Sequence, residues 1–178
     1  MSKTIVAVIG CGRIAQNAHF PAFAQIPDLY VKYACDLIEE KAQAMKDKYP
    51  DLVGEVITDY KVALADPEVE AVFVLTPNFA HYTVSMDALR AGKHVMCEKP
   101  ITTGYALSCE MAEEAKKQGK IMNIGVCNRY QSSVERPKFN TLQVPKSCAS
   151  LSASSTALPT PPRKQPSSKV TIFLYFSA

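Results

Sequence analysis

Short apolar runs recur at regular intervals through the first 126 positions. They are Thr4-Ile5-Val6-Ala7-Val8-Ile9, Leu29-Tyr30-Val31-Lys32-Tyr33-Ala34-Cys35, a brief one near Glu55-Val56-Ile57, Ala71-Val72-Phe73-Val74-Leu75, Lys93-His94-Val95-Met96 and Ile121-Met122-Asn123-Ile124-Gly125-Val126. Most are nearly continuous rather than alternating, the pattern of strands covered on both faces. Between them lie stretches with helical character. One runs from the glycines after Ile9 to about Gln25, one spans Ile38–Tyr49 and stops at Pro50, and one spans Tyr60–Ala65 and stops at Asp66-Pro67. A fourth runs from Asn78, a natural N-cap, to Ala91 and closes at Gly92; a fifth starts at Thr102 or Thr103 and runs to Gln118 before Gly119. Strand–helix alternation over this length implies βαβ units with right-handed crossovers, hence an α/β fold with a doubly wound parallel sheet.

After Glu135 the pattern stops. Residues 137–178 hold six prolines, eight serines and four threonines, with no acidic residue and no glycine. The run from Leu158 to Ser168 has the composition of a poorly ordered segment. The closing Val170-Thr171-Ile172-Phe173-Leu174-Tyr175-Phe176 is strand-prone, uncharged and isolated. Ser132-Ser133-Val134-Glu135 resembles a helix start, but Pro137 breaks its continuation. The expected division is an α/β domain over 1–130, then a broken helix start and an irregular tail over 131–178. The tail reads as an irregular segment that breaks with the pattern before it. The other reading is a linker leading to a partner-binding strand.

Charge follows the same boundary. Residues 1–136 carry 15 basic and 17 acidic side chains, net −2, whereas residues 137–178 carry five basic and no acidic ones. The overall +3 therefore belongs to the tail, and no basic surface interleaved with aromatics argues for nucleic acid. Six cysteines lack CxxC or Cys/His ligand spacing, so they read as reduced thiols of a cytoplasmic protein, with no metal expected. The opening apolar run is too short for a signal segment, and no stretch approaches a membrane span.

The chemistry gathers at the ends of the apolar runs, where ligands of parallel α/β sheets sit. Gly10-Cys11-Gly12-Arg13-Ile14-Ala15 is a G-x-G-x-x-A placed after a strand and before a helix. Gly10 permits the tight turn, Gly12 lets backbone approach a pyrophosphate at the helix N-terminus, and Ala15 allows close helix–strand packing. Asp36 ends the second run, 21 residues past Ala15. Its carboxylate could accept both adenosine ribose hydroxyls and repel a 2′-phosphate, favouring NAD over NADP; it could equally cap the helix that follows, or do both. Thr76-Pro77-Asn78 and His81 follow the fourth run, with His81 in the first helical turn pointing toward the crevice or acting as a surface cap. The fifth run ends in Cys97-Glu98-Lys99-Pro100, where proline restricts Lys99 so that its ammonium can be aimed. A surface Lys–Glu pair before a turn is the plainer alternative.

These motifs, in this order, together with Ala91-Gly92-Lys93-His94-Val95 and Gly125-x-x-x-Arg129-Tyr130, resemble the glucose-fructose oxidoreductase / inositol dehydrogenase / rhizopine catabolism (Gfo/Idh/MocA) family over residues 1 to about 135. The resemblance implies an N-terminal Rossmann domain and a C-terminal domain that holds substrate and usually forms the oligomer interface. It implies NAD(P)-linked oxidation or reduction at a CH–OH carbon of a sugar, cyclitol or related polyol. In that scheme Gly10, Gly12, Arg13 and Ile14 line the pyrophosphate turn, Asp36 holds the ribose, and Thr76, Pro77, Asn78 and His81 border the crevice with Glu98 nearby. Arg129 belongs to the same cofactor-binding set. Lys99 is the catalytic residue: it reaches the reacting hydroxyl, and drawing off that proton lets hydride leave carbon more easily.

The resemblance also implies a second catalytic set supplied by the C-terminal domain, which this sequence does not let us place. Against the family pattern, residues 1–130 read as the NAD(P)-binding domain and 131–178 as a remnant start of the second domain with a tail that is not homologous sequence. The chain then reads as a truncated or frame-shifted family member. A site between two domains would then lack one wall. Three functions follow: an oxidoreductase by descent with little turnover, a non-enzymatic dinucleotide-binding module or regulator, or a fragment that exposes apolar surface.

Overall fold

A computed structural model describes residues 3–125, which belong to a compact unit spanning Met1–Val126. Arg129, Tyr130, the 131–178 segment with its strand-prone end, and Cys127 and Cys148 lie outside the described residues.

Six strands form one parallel sheet in the order β3-β2-β1-β4-β5-β6. They are β1 Thr4–Ile9, β2 Leu29–Cys35, β3 Val53–Ile57, β4 Ala71–Val74, β5 His94–Glu98 and β6 Met122–Gly125. Helices α1 Phe20–Phe23, α2 Glu39–Lys48, α3 Tyr60–Ala65, α4 Asn78–Arg90 and α5 Tyr105–Lys117 connect them. Strand order reverses between β1 and β4, and right-handed crossovers then place α1 and α2 on one face and α3, α4 and α5 on the other. This is the doubly wound Rossmann arrangement, whose ligand crevice lies at the reversal.

Alternation along the strands divides the core accordingly. Ala7, Ile9, Val72, Val74, Val95 and Cys97 pack against Leu64, Val84, Ala88, Leu89 and Ala115 of α3, α4 and α5. On the opposite face the Phe23 ring meets Phe73 edge-on with centroids 4.8 Å apart, and Phe20 stacks on Tyr49 at 6.0 Å.

Four boundaries differ from the sequence pattern, each for a local reason. β3 begins at Val53 because Gly54, which interrupts the apolar run, is where the chain passes tightest: a Cβ there would meet the Tyr30 hydroxyl at 2.6 Å and the Lys32 carbonyl at 2.8 Å. The first helical stretch winds as a π-helical turn over Ala15–His19 before α1, with the Phe20 N–H donating to the Ala15 carbonyl. Asn78 is not the cap of α4; extended Pro77 precedes the helix and Asn78 is its first, exposed residue. α5 starts at Tyr105 rather than at a threonine, because the Thr102 hydroxyl turns into the preceding loop and bonds the Gly104 carbonyl at 2.6 Å.

Candidate dinucleotide site

The carboxyl ends of β1, β2, β4 and β5 come together around the Gly10–Ala15 turn. Gly10 has φ +98°, and a Cβ on it would lie 2.7 Å from the Leu75 carbonyl group and 2.8 Å from the Thr76 nitrogen. The fold itself therefore demands glycine there. Gly12 is different. Its φ is not in the left-handed region and nothing lies within 4 Å of the place a Cβ would take. Among the described residues no protein atom explains this glycine, and the cradle is open to a group that approaches the backbone from outside.

Asp36 binds that turn to β2. Its Oδ2 accepts the Cys11 N–H at 2.8 Å and its Oδ1 accepts the Ile38 N–H at 2.9 Å. Gln16 adds a brace, donating from Nε2 to the Cys11 carbonyl at 2.8 Å. The aspartate is thus a loop anchor and a turn acceptor just ahead of α2, whose cap position is Ile38. A carboxylate offers about four lone-pair sites, so two remain for a diol. Around it the surface is open and partly apolar: Leu37 is 90% exposed, Ile14 42%, and Arg13 is exposed as well.

On the other side of the reversal the side chains are buried. Glu98 is 5% exposed while Lys99, its neighbour, is exposed, so the two are not a surface pair. Glu98 Oε1 accepts a hydrogen bond from His19 Nε2 at 2.9 Å, and Oε2 accepts the Lys99 N–H at 3.0 Å. Burial pushes its carboxyl pKa up. The His19 bond, the Lys99 amide and the charges of His19 and Lys99 outweigh that and hold it below the ordinary value. Gly125 of β6 closes over this carboxylate; a Cβ there would sit 2.9 Å from Oε1.

His81 is 1% exposed, with Nδ1 2.7 Å from the Pro100 carbonyl oxygen and Nε2 2.8 Å from the Thr76 carbonyl oxygen. It therefore lies beneath the crevice wall rather than reaching out of it. The Lys99-Pro100 bond is cis. Thr76 is half-buried, and Pro77 and Asn78 are exposed at the rim.

The structure thus gathers Gly10, Gly12, Arg13, Ile14 and Asp36 on one side and Thr76, Pro77, Asn78, Glu98 and Lys99 on the other. Sequence reasoning missed His19 and Gln16 as parts of the site. Both fall within the helical stretch that follows the fingerprint, where a lone polar residue reads as surface. Burial drives the Cys11 and Cys35 thiols up to about 12, helped by the Asp36 charge, and Cys97 up to about 11. All three are held as thiols, without nucleophilic chemistry near neutral pH.

Residues 5–126 match the family model GFO_IDH_MocA, described as an oxidoreductase family with an NAD-binding Rossmann fold. The chain is 34% identical over 125 residues to the D-glucoside 3-dehydrogenase of Escherichia coli, covering 70% of this chain and 35% of that one. It is also 34% identical over 125 residues to the inositol 2-dehydrogenase of Salmonella paratyphi B, covering 69% and 37%. Among solved structures, KijD10, a 3-ketoreductase from Actinomadura kijaniata in complex with NADP and TDP-benzene, superposes with a TM-score of 0.69 at 28% identity, over 74% of this chain and 40% of that one. The chain spans 32–40% of the length of curated relatives it matches. None of the helices among the described residues is long and apolar enough to cross a membrane.

Proposed function

This chain belongs to the Gfo/Idh/MocA oxidoreductase family, with its NAD-binding Rossmann fold, and on that premise we propose that residues 3–125 are the dinucleotide-holding half of a dehydrogenase acting on the CH–OH carbon of a sugar, cyclitol or related polyol. The observation that carries the reading is Gly12. It is a glycine that no backbone angle and no neighbouring atom of the described residues requires, at the start of the first helical stretch, where amides and helix dipole favour a diphosphate. Gly10, Arg13 and Ile14 complete the pyrophosphate turn, and the remaining lone pairs of Asp36 take the ribose diol. Thr76, Pro77 and Asn78 border the nicotinamide side, backed by buried Glu98 and His81.

When bound, the nicotinamide supplies or accepts hydride. This chain's own contribution to that step is Lys99, whose exposed amine stands at the mouth of β5 to take the hydroxyl proton as hydride leaves the carbon. The preferred cofactor is NAD. Asp36 would repel a 2′-phosphate, and Leu37 and Ile38, which follow it, offer no positive charge to hold one. A cytoplasmic setting accords with the three buried thiols.

The same cradle also fits a second reading, a dinucleotide-binding module without turnover, because Gly12 and Asp36 carry binding and no chemistry. Fluorescence titration of the 178-residue chain with NADH and NADPH tests both. Saturable binding with NADH preferred is the expected result, and the absence of saturable binding by a folded chain would overturn it. Assay against a polyol panel then separates enzyme from module.

A further inference from the structure

The tip of β5 is held from both faces of the sheet. From the α1 face, His19 reaches Glu98, whose other oxygen holds the Lys99 amide. From the α4 face, His81 reaches the carbonyl of Pro100 and, with its second nitrogen, the carbonyl of Thr76 at the end of β4. Lys99 is the residue between these two fixed points. Its side chain is exposed, yet its backbone is tied on one side to a buried carboxylate and followed on the other by a carbonyl tied to a buried ring.

Neither imidazole faces outward. His19 packs among Phe23 and Phe73 with ring centroids 5.9 and 6.3 Å away, and His81 lies within the opposite layer. An exposed lysine on an unsupported strand end would spread its amine over many positions. A proton acceptor has to stand within hydrogen-bond reach of one hydroxyl.

We propose that His19 and His81 are positioning residues that clamp the Lys99–Pro100 turn from opposite faces of the sheet, His19 through the Glu98 carboxylate and His81 through the Pro100 carbonyl. The assignment rests on the reading of Lys99 given above. It accounts for two buried histidines that the dinucleotide itself does not require, and for Gly125, the residue whose missing Cβ leaves room for the Glu98 carboxylate.

The nitrogens involved differ, and that makes the clamp testable by crossed rescue. The amide nitrogen of asparagine stands about where histidine carries Nδ1, and that of glutamine about where it carries Nε2. At position 19 the working nitrogen is Nε2, so His19→Gln should keep the clamp and His19→Asn should lose it. At position 81 the nitrogen on Pro100 is Nδ1, so His81→Asn should keep it and His81→Gln should lose it. The readout is hydrogen exchange of the Lys99 amide by NMR in the full 178-residue chain, without ligand. Exchange should accelerate about tenfold in the two losing variants while strand amides such as that of Val8 change less than about twofold.

A purely space-filling role would favour the larger glutamine at both positions, and that outcome overturns the proposal. So does equal behaviour of both substitutions at either site, or a wild-type Lys99 amide that exchanges as fast as an exposed one. If one pair fails to fold, the other still decides, because each half of the clamp makes its own prediction. NADH titration of the same samples keeps the two readings apart: a wild-type chain that takes up no NADH sinks the dinucleotide reading, while the exchange result stands by itself.

Discussion

At the ends of β1 and β2 the crevice is made of backbone and exposed side chains: an open glycine, a carboxylate fixed by two main-chain amides, and Ile14 and Leu37 standing in solvent. At the ends of β4 and β5 it is backed by buried charge, with Glu98 and His19 on one face of the sheet and His81 on the other. The first side can accept a ligand at little cost because almost nothing has to be displaced. The second side is already committed to itself, with Lys99 and Pro100 at the β5 tip and the rim residues Pro77, Asn78 and Phe79 facing out. On the reading proposed above, one side serves binding and the other aim, and substitutions should separate them.

The largest effect is expected at Gly10, where both sides meet. Gly10→Ala would combine a left-handed backbone with a methyl group 2.7 Å from the Leu75 carbonyl group, and should cost about 4 kcal/mol or more of stability. Urea unfolding followed by circular dichroism measures it, since the chain has no tryptophan. A loss below about 1 kcal/mol would show that the turn relaxes away from β4.

Next comes the buried pair. Glu98→Ala leaves His19 and the Lys99 amide facing an empty slot, and about 3 kcal/mol of stability should go. The pH dependence has a definite sign. Because the folded pKa of Glu98 lies below the unfolded one, its contribution is present above the ordinary carboxylate range and fades as pH falls through the folded value. Asp66 acts in the same direction: its Lys32 partner, the Glu68 amide and the Tyr33 hydroxyl hold it at about 2. Glu98→Gln should therefore flatten the acid limb of a stability–pH curve without abolishing it, the remaining slope belonging to Asp66 and its like.

On the open side the effects fall on affinity instead. Gly12→Ala has no steric reason to disturb the fold and should change stability by less than about 0.5 kcal/mol, while NADH affinity drops by about two orders of magnitude. Unchanged affinity would remove the main support for the dinucleotide site. Asp36→Ala should weaken NADH by about tenfold and narrow the gap to NADPH; it should also cost about 1 kcal/mol, because the Cys11 and Ile38 amides lose their acceptor. Retained discrimination against NADPH would transfer cofactor choice to another residue.

The same division governs what could be read before any coordinates. Five strands match the apolar runs closely, and the fingerprint glycines, Asp36 and the β5 tip stand where spacing places them, because each signal is local. What escaped is non-local. For Glu98 a surface pair with Lys99 stayed open as an alternative, because sequence cannot show that β6 brings a glycine over it and that a π-helical turn brings His19 under it. His81 was legible as a residue of the α4 start, but its two carbonyl partners lie 5 and 19 residues away on different strand ends. The difference between Gly10 and Gly12 was legible in the fingerprint, which assigns the tight turn to the first and close approach to the second; packing adds the Leu75 and Thr76 atoms that a Cβ on Gly10 would meet.

The smallest effect should come from the residue the clamp serves. Lys99 is exposed, so Lys99→Ala should alter stability by less than about 0.5 kcal/mol and NADH affinity by less than about threefold. Its one structural trace should be electrostatic. Lys99 helps hold the Glu98 carboxyl down, so without it that pKa rises and the acid limb of the stability curve shifts to slightly higher pH. A chemical role predicts this combination: binding nearly intact, fold nearly intact, and a small displacement in acid. If NADH affinity falls tenfold or more instead, the amine is a partner of the cofactor's phosphates, and the buried apparatus behind β5 serves to aim a charge at the ligand rather than to aim a proton acceptor at a hydroxyl.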